Sequence, residues 1–169
     1  MSHAVVRTDN MFGTDVRAGL VSAKYFVDTT ETAIDNGNVV KLVALIDGER
    51  EIFKAVAPAA NTPISEVVLV AAPEVMYDER LRNLDEFYNE AGKAFRGYRL
   101  HTGDAFSVTK DALDGAATPA VGDVVELKAG TKLNVKAAAT GATDGSTVVG
   151  TIEAIEVVGR YTYYVIRVA

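Results

Sequence analysis

Cysteine and tryptophan are both missing from this chain of 169 residues. Without cysteine there can be no disulfide scaffold, thiolate metal site, iron–sulfur cluster or thiol nucleophile. Histidine occurs only twice, as His3 and His101, so a multi-histidine metal site would need carboxylate help. Positive charge is in deficit: 17 Lys+Arg stand against 23 Asp+Glu, a net charge of -6. An acidic body of this kind argues against nucleic acid or an anionic membrane as a partner. Long apolar runs are also lacking, and the stretch 67–72 falls far short of the roughly 20 residues a membrane helix needs. The N-terminus MSHAVVRTDNMFGTDVRAG has no apolar stretch of the signal-peptide kind. The expectation is a chain made in a cytoplasm and not exported by a cleaved signal.

What is present is the pattern of a β protein. Hydrophobic residues make up 49% and charged residues 24%, enough apolar material to form a core without staples. Short apolar runs at 21–27, 39–46, 51–56, 66–72, 105–108, 124–128, 132–137, 148–158 and 161–168 alternate with turn chemistry. The Asn36-Gly37 pair is a strong hairpin signal, since both residues accept positive φ. In the hairpin 124–137, Val125, Leu127, Leu133, Val135 and Ala137 share one face, and Glu126, Lys128, Lys132, Asn134 and Lys136 share the solvent face. Three segments repeat a pattern of Gly, then Asn or Asp, then a strand: Gly37-Asn38, Gly103-Asp104 and Gly122-Asp123. Similar turns or duplicated β units both produce such a repeat.

One helix is predicted, over 78–91. Asp78 serves as its N-cap, Leu81, Leu84, Phe87, Tyr88 and Ala91 form its apolar face, and Gly92 ends it. The fold class expected is mainly β, or α+β with this one helix, built as small barrel or sandwich lobes. Residues 1–20 read as an extended arm, 21–110 as a β-rich lobe carrying the helix, and 120–169 as a small C-terminal β lobe. The small-residue stretch 111–119 reads as the connector.

Candidate chemistry is sparse. Asp78, Glu79, Asp85, Glu86 and Glu90 cluster in sequence but fall on the solvated face of the predicted helix, interleaved with Arg80 and Arg82. Paired carboxylates used in acid–base chemistry need apolar surroundings to separate their pKa values, and these lack them. Gly92-Lys93 is followed by Ala94 where a phosphate loop needs Ser or Thr. Ser22, Ser65, Ser107 and Ser146 have no nucleophile-elbow context. Asp111 and Asp114 do not have the spacing of a calcium loop. The chain therefore reads as a non-enzyme with no cofactor and no metal. Tyr161, Tyr163 and Tyr164 crowd the last strand, which is apolar on both faces and suits either a central strand or an interface.

The run 122–136 (GDVVELKAGTKLNVK), the loop through Ser146 and the segment 150–169 are similar to the small β domains of tailed-bacteriophage head proteins. The segments 74–77 (EVMY) and 87–92 (FYNEAG), leading into 96–100 (RGYRL), resemble phage structural proteins encoded beside the major capsid protein. These are decoration, cement or head-fibre components. The resemblance implies a non-enzymatic virion protein on the outer capsid surface, with the major capsid protein as partner, a homo-oligomer left open, and no nucleic acid or membrane bound. On that reading Arg7, Met11, Phe12, Val16 and Arg17 of the arm contact the capsid, and Tyr161, Tyr163 and Tyr164 are interface aromatics. The arm carries Arg7, Arg17, Asp9 and Asp15 and is neutral, so all of the -6 lies beyond it. A carbohydrate- or ligand-binding β module on a virion or cell surface is the alternative.

Overall fold

The computed structural model describes residues 2–14, 18–76, 78, 80 and 83–169. The strands are β1 (Val6–Asn10), β2 (Leu20–Val27), β3 (Thr30–Glu31), β4 (Val39–Leu45), β5 (Ile52–Val56), β6 (Val67–Val70), β7 (Phe95–Arg99), β8 (Ala105–Val108), β9 (Leu113–Gly115), β10 (Val124–Glu126), β11 (Leu133–Lys136), β12 (Val148–Val158) and β13 (Tyr161–Val168). The mainly β class holds. Strands β2, β5, β4, β6 and β7 pair in that order, and β7 returns to β2 to close a five-stranded barrel. The other sheet is a curled half-barrel in the order β1-β8-β13-β12-β10-β11-β9.

A five-stranded barrel is narrow, and its filling is correspondingly small. Val21, Ala23, Val40, Ala55, Val68, Val70 and Phe95 occupy the interior with Ile34. Gly97 fits because there is no room for more: a Cβ there would stand 2.3 Å from Val68 Cγ1. The larger core lies between barrel and half-barrel. There Val39, Val67 and Leu69 from the barrel meet Val6, Phe106, Val108, Val125, Leu133, Ile152, Tyr164 and Ile166 from the sheet. Strand β6 serves both cores, with Val68 and Val70 turned inward and Val67 and Leu69 turned to the sheet. Its unbroken apolar sequence VVLV follows from burial on both faces. Backbone bonds add to the joint: Val39 N–H donates to the Thr131 carbonyl (2.7 Å) and Thr147 N–H to the Ala60 carbonyl (2.8 Å).

The Gly-Asx repeat is one backbone device used three times. Gly37, Gly103 and Gly122 all have positive φ, at 81°, 92° and 90°, which only glycine adopts without strain. Each glycine N–H donates to the carbonyl of a residue on a neighbouring strand: Val70, Val168 and Ile152 respectively. That same residue returns its N–H to the carbonyl of the following Asn38, Asp104 or Asp123. The aspartates also fold back on their own turns, Asp104 accepting from His101 N–H (3.0 Å) and Asp123 from Ala120 N–H (2.9 Å).

Four expectations need correction. First, the N-terminal segment is not only an arm. Val6–Asn10 is an edge strand paired with β8, and Ala4, Val5 and Val6 are buried. Its short VRTDN sequence has one buried position, so no alternation announces it. Second, the chain passes from barrel to half-barrel around 100–104 rather than at 111–119. The stretch read as a connector supplies β9 and the buried Ala112 and Leu113. Third, among the described residues there is no α-helix at 78–91, only a 3-10 turn at Leu84–Glu86. The bond a helix would make from Asn89 N–H to the Asp85 carbonyl is replaced twice over. His3 N–H takes the Asp85 carbonyl (2.8 Å), and Asn89 N–H goes to Ile34 (2.9 Å). Tyr77, Glu79, Leu81 and Arg82 lie outside the described residues. Fourth, Glu126 does not face solvent but is 1% exposed.

Because β1 completes the shared core, a variant lacking residues 2–10 should be markedly less stable. Losing the buried Val5 and Val6 alone removes about 3 kcal/mol or more, a fall in Tm of roughly 6–12 °C. An unchanged melting temperature in the truncated protein would show that the segment is dispensable.

Candidate functional site

A polar meeting point lies where the N-terminal segment, the loop 34–36, the loop 83–90 and the β12–β13 hairpin tip converge. His3 Nδ1 stands 2.7 Å from Asp35 Oδ1, and its ring stacks on Tyr88 at 4.9 Å between centroids. Asp85 receives the Arg160 guanidinium and the Tyr161 hydroxyl (2.9 Å). Burial alone would raise the Asp85 pKa, but the Tyr161 hydroxyl, the backbone and Arg160 together hold it below the usual value. The cleft at this junction, about 410 Å³, also takes in Ser2, Lys110 and Asp111.

A larger cavity of about 650 Å³ lies beneath the long connection from β6 to β7, against Ser22, Phe95 and Arg96 of the barrel. Phe87, Tyr88, Asn89 and Glu90 line its other side. Two buried asparagines hold this connection in place. Asn36 Oδ1 accepts from Ala72 N–H (3.0 Å) and from Asn89 Nδ2 (3.0 Å), while Asn36 Nδ2 donates to the Ala72 carbonyl (2.8 Å). Asn89 Nδ2 also donates to the Ile34 carbonyl (3.0 Å). Side-chain amides suit this role because one group both donates and accepts, replacing a missing strand.

The loop 138–147 is anchored in the same manner by Glu126. Its carboxylate accepts from Asn134 Nδ2 (2.7 Å), Thr143 N–H (2.6 Å) and the Thr143 hydroxyl (2.7 Å). Burial pushes its pKa up, but the bonds from Thr143 and Asn134, with the charge of Lys136, outweigh burial and leave it lowered. The loop therefore covers a carboxylate that strand alternation had assigned to solvent.

The residues singled out from the sequence do not form one site. Arg7 is held within the sheet, bonded to Glu156 (2.6 Å) and lying over the Tyr163 ring at 4.4 Å. Met11 packs against the shared core. Phe12 is 48% exposed, with its N–H fixed to Asp104 (2.6 Å) and its ring edge-on to His101. Val16 and Arg17 lie outside the described residues. Tyr163 and Tyr164 are buried, and burial pushes the Tyr163 phenol pKa up. Tyr161 alone reaches the junction. The sequence reading took Asn36 for a turn residue and Asp85 for a solvated carboxylate and gave Asn89 no role, because their actual partners lie 35 or more residues away. It also missed the exposed Ile155, Val157 and Val158 on β12, although the run EAIEVVG was a visible apolar signal.

Among the described residues no group of three or more His, Asp or Glu side chains is placed to hold a metal ion, and no helix is long and apolar enough to cross a membrane. The class defined by the fold is a β protein made of a closed five-stranded barrel joined to a curled half-barrel. Comparison with family models, curated proteins and solved structures gave no match.

Glu126 and Asp85 both have lowered carboxyl pKa values in the folded state. Their stabilising effect is complete above the unfolded values, near pH 4, and is lost as pH falls through the folded ones. Replacing the charged acceptor in Glu126→Gln should cost about 1.5–3 kcal/mol at pH 7, or roughly 3–12 °C in Tm. At pH 3 the gap between wild type and variant should narrow, since a carboxyl whose folded pKa is lowered loses its stabilising effect once pH falls below the unfolded value. An equal gap at both pH values would mean that the charge of Glu126 is irrelevant.

Proposed function

We propose that this protein is a non-enzymatic virion structural protein that binds the outside of a tailed-phage capsid, as decoration, cement or head-fibre base, and stabilises the shell. The observation that carries the reading is the shared core: barrel and half-barrel are fastened through β6 into one frame. A stiff frame loses little conformational entropy on docking, so modest contact area yields useful affinity. Repetition over a shell multiplies that gain without needing a deep pocket. The resemblance of 122–136, 150–169, 74–77, 87–92 and 96–100 to head proteins supports the major capsid protein as partner and the outer virion surface as location. Of Arg7, Met11 and Phe12, the described arm residues read as capsid contacts, Phe12 is the exposed one, on a backbone fixed by Asp104, and it is the contact retained in this proposal.

A second reading has its own observation. The 650 Å³ cavity combines Phe87 and Tyr88 with Asn89, Glu90 and Arg96, a mixture of rings and polar groups suited to a sugar. A glycan array would report binding that Tyr88→Ala removes.

Purified protein mixed with empty capsids should give saturable, regularly spaced density on the outer shell, and Phe12→Ala should reduce occupancy. Bare shells at saturating protein would overturn the proposal.

A further inference from the structure

Strand β12 is eleven residues long, but its two edges are used unequally. Strand β10 pairs with it only at Val148, Gly150 and Thr151. Gly122 and Asp123 then close on Ile152. The register slips between Ile152 and Ala154, and from there to Val158 the one strand partner among the described residues is β13. One backbone edge of residues 154–158 thus has no strand beside it. The side chains on this stretch are apolar and open: Val157 is 74% exposed, Val158 50% and Ile155 40%. Val121, 60% exposed, sits next to Gly122 at the start of the free edge. Protein edges of this kind are normally blunted by lysine, proline or a covering loop. Residues 154–158 contain neither lysine nor proline.

We infer that residues 154–158 of β12 form a self-association surface, through which two copies of this chain pair edge to edge, antiparallel, about a twofold axis at Val157. Three features point to a second copy as the occupant. An isologous contact needs a self-complementary patch, and an antiparallel strand edge is self-complementary by geometry. Exposure and charge together favour Val157 as the centre, since at 74% it is the most exposed side chain of the stretch. Centring on Glu156 would place two carboxylates directly opposite each other, which is destabilising. Centring on Val157 places Val157 against Val157 and Glu156 against Val158. Finally, the two carboxylates on this part of β12 each have a cationic partner within the chain: Glu156 has Arg7 at 2.6 Å, which Asp9 shares at 3.4 Å, and Glu153 has Arg167 at 2.5 Å. The edge therefore presents paired rather than bare carboxylates, on a body that carries -6 and would otherwise repel its copy more strongly.

The paired edge is short, which places the contact at the low end of specific interfaces and makes the dimer a weak one, with micromolar affinity or looser. Added salt should strengthen it, because screening removes the long-range repulsion between acidic bodies and leaves apolar and backbone contacts intact.

The native absence of cysteine allows a direct test. A single-cysteine Val157→Cys protein should form a disulfide-linked dimer under mild oxidation, because facing residues of an antiparallel pair lie within disulfide reach. A Val43→Cys control, 58% exposed on β4, should remain largely monomeric under the same conditions. In sedimentation runs over a concentration series, wild type should shift from monomer to dimer. Val157→Lys, a change at an exposed position, should need at least ten times more protein to do so. Equal cross-linking of the two cysteine variants, a wild type monomeric up to millimolar concentration, or a Val157→Lys protein that dimerises like wild type would each overturn the inference. A monomeric wild type whose binding to capsids is abolished by Val157→Lys would also overturn it, and would make the capsid the occupant of this edge.

Discussion

Burial of β6 on both faces is the constraint on which the rest of the structure depends. A four-residue strand with no solvent face must be covered twice, and the chain supplies the two covers from different places. The barrel wraps one side with small residues, as a five-stranded circumference requires. The half-barrel covers the other with Phe106, Ile166 and their neighbours, and it needs β1 from the far N-terminus to complete its edge. The barrel is therefore an insertion between β1 and β8 of one sheet. The barrel has a small interior of its own, but the half-barrel's core is completed by Val39, Val67 and Leu69 of the barrel. Val67 and Leu69 of β6 each contribute roughly 1.5–3 kcal/mol by leaving water, and that contribution depends on the half-barrel remaining in place.

Regular strands were legible because their cause is local. The spans 105–108, 148–158 and 161–168 agree with the observed β8, β12 and β13, and the buried set Val125, Leu127, Leu133 and Val135 follows from alternation. The Gly-Asx repeat was legible as turn chemistry, and the structure adds that each turn also locks a neighbouring strand. The helix was the clearest failure. Its apolar spacing at Leu84, Phe87 and Tyr88 is real, but His3 and Ile34 compete for the backbone groups a helix would use. Competition from residues 55 and 82 positions away has no signature in a local window. Glu126 failed for the same reason, since the loop that covers it comes after the hairpin whose pattern assigned it to solvent.

The candidate site was less legible than the fold. Aromatic residues drew attention to the last strand, yet Tyr163 and Tyr164 are structural, and Arg7, read as a capsid contact, holds β1 to β12 through Glu156 and covers Tyr163. The adjacent β12 instead carries exposed apolar side chains at Ile155, Val157 and Val158. A frame joined through a shared core, with an open strand edge, suits the adhesion proposed above, to a shell and to a second copy. Its polar devices, Asn36, Asn89, Glu126 and the Gly-Asx turns, shape loops and keep that frame in one geometry.

The central claim is that barrel and half-barrel unfold as one unit. Native-state hydrogen exchange across a denaturant series measures this directly. Amides of β5 in the barrel and β13 in the half-barrel should converge on the same opening free energy and the same denaturant dependence. If β5 exchanges through a lower-energy opening while β13 stays protected, the two bodies are independent and the shared core is not what holds this protein together.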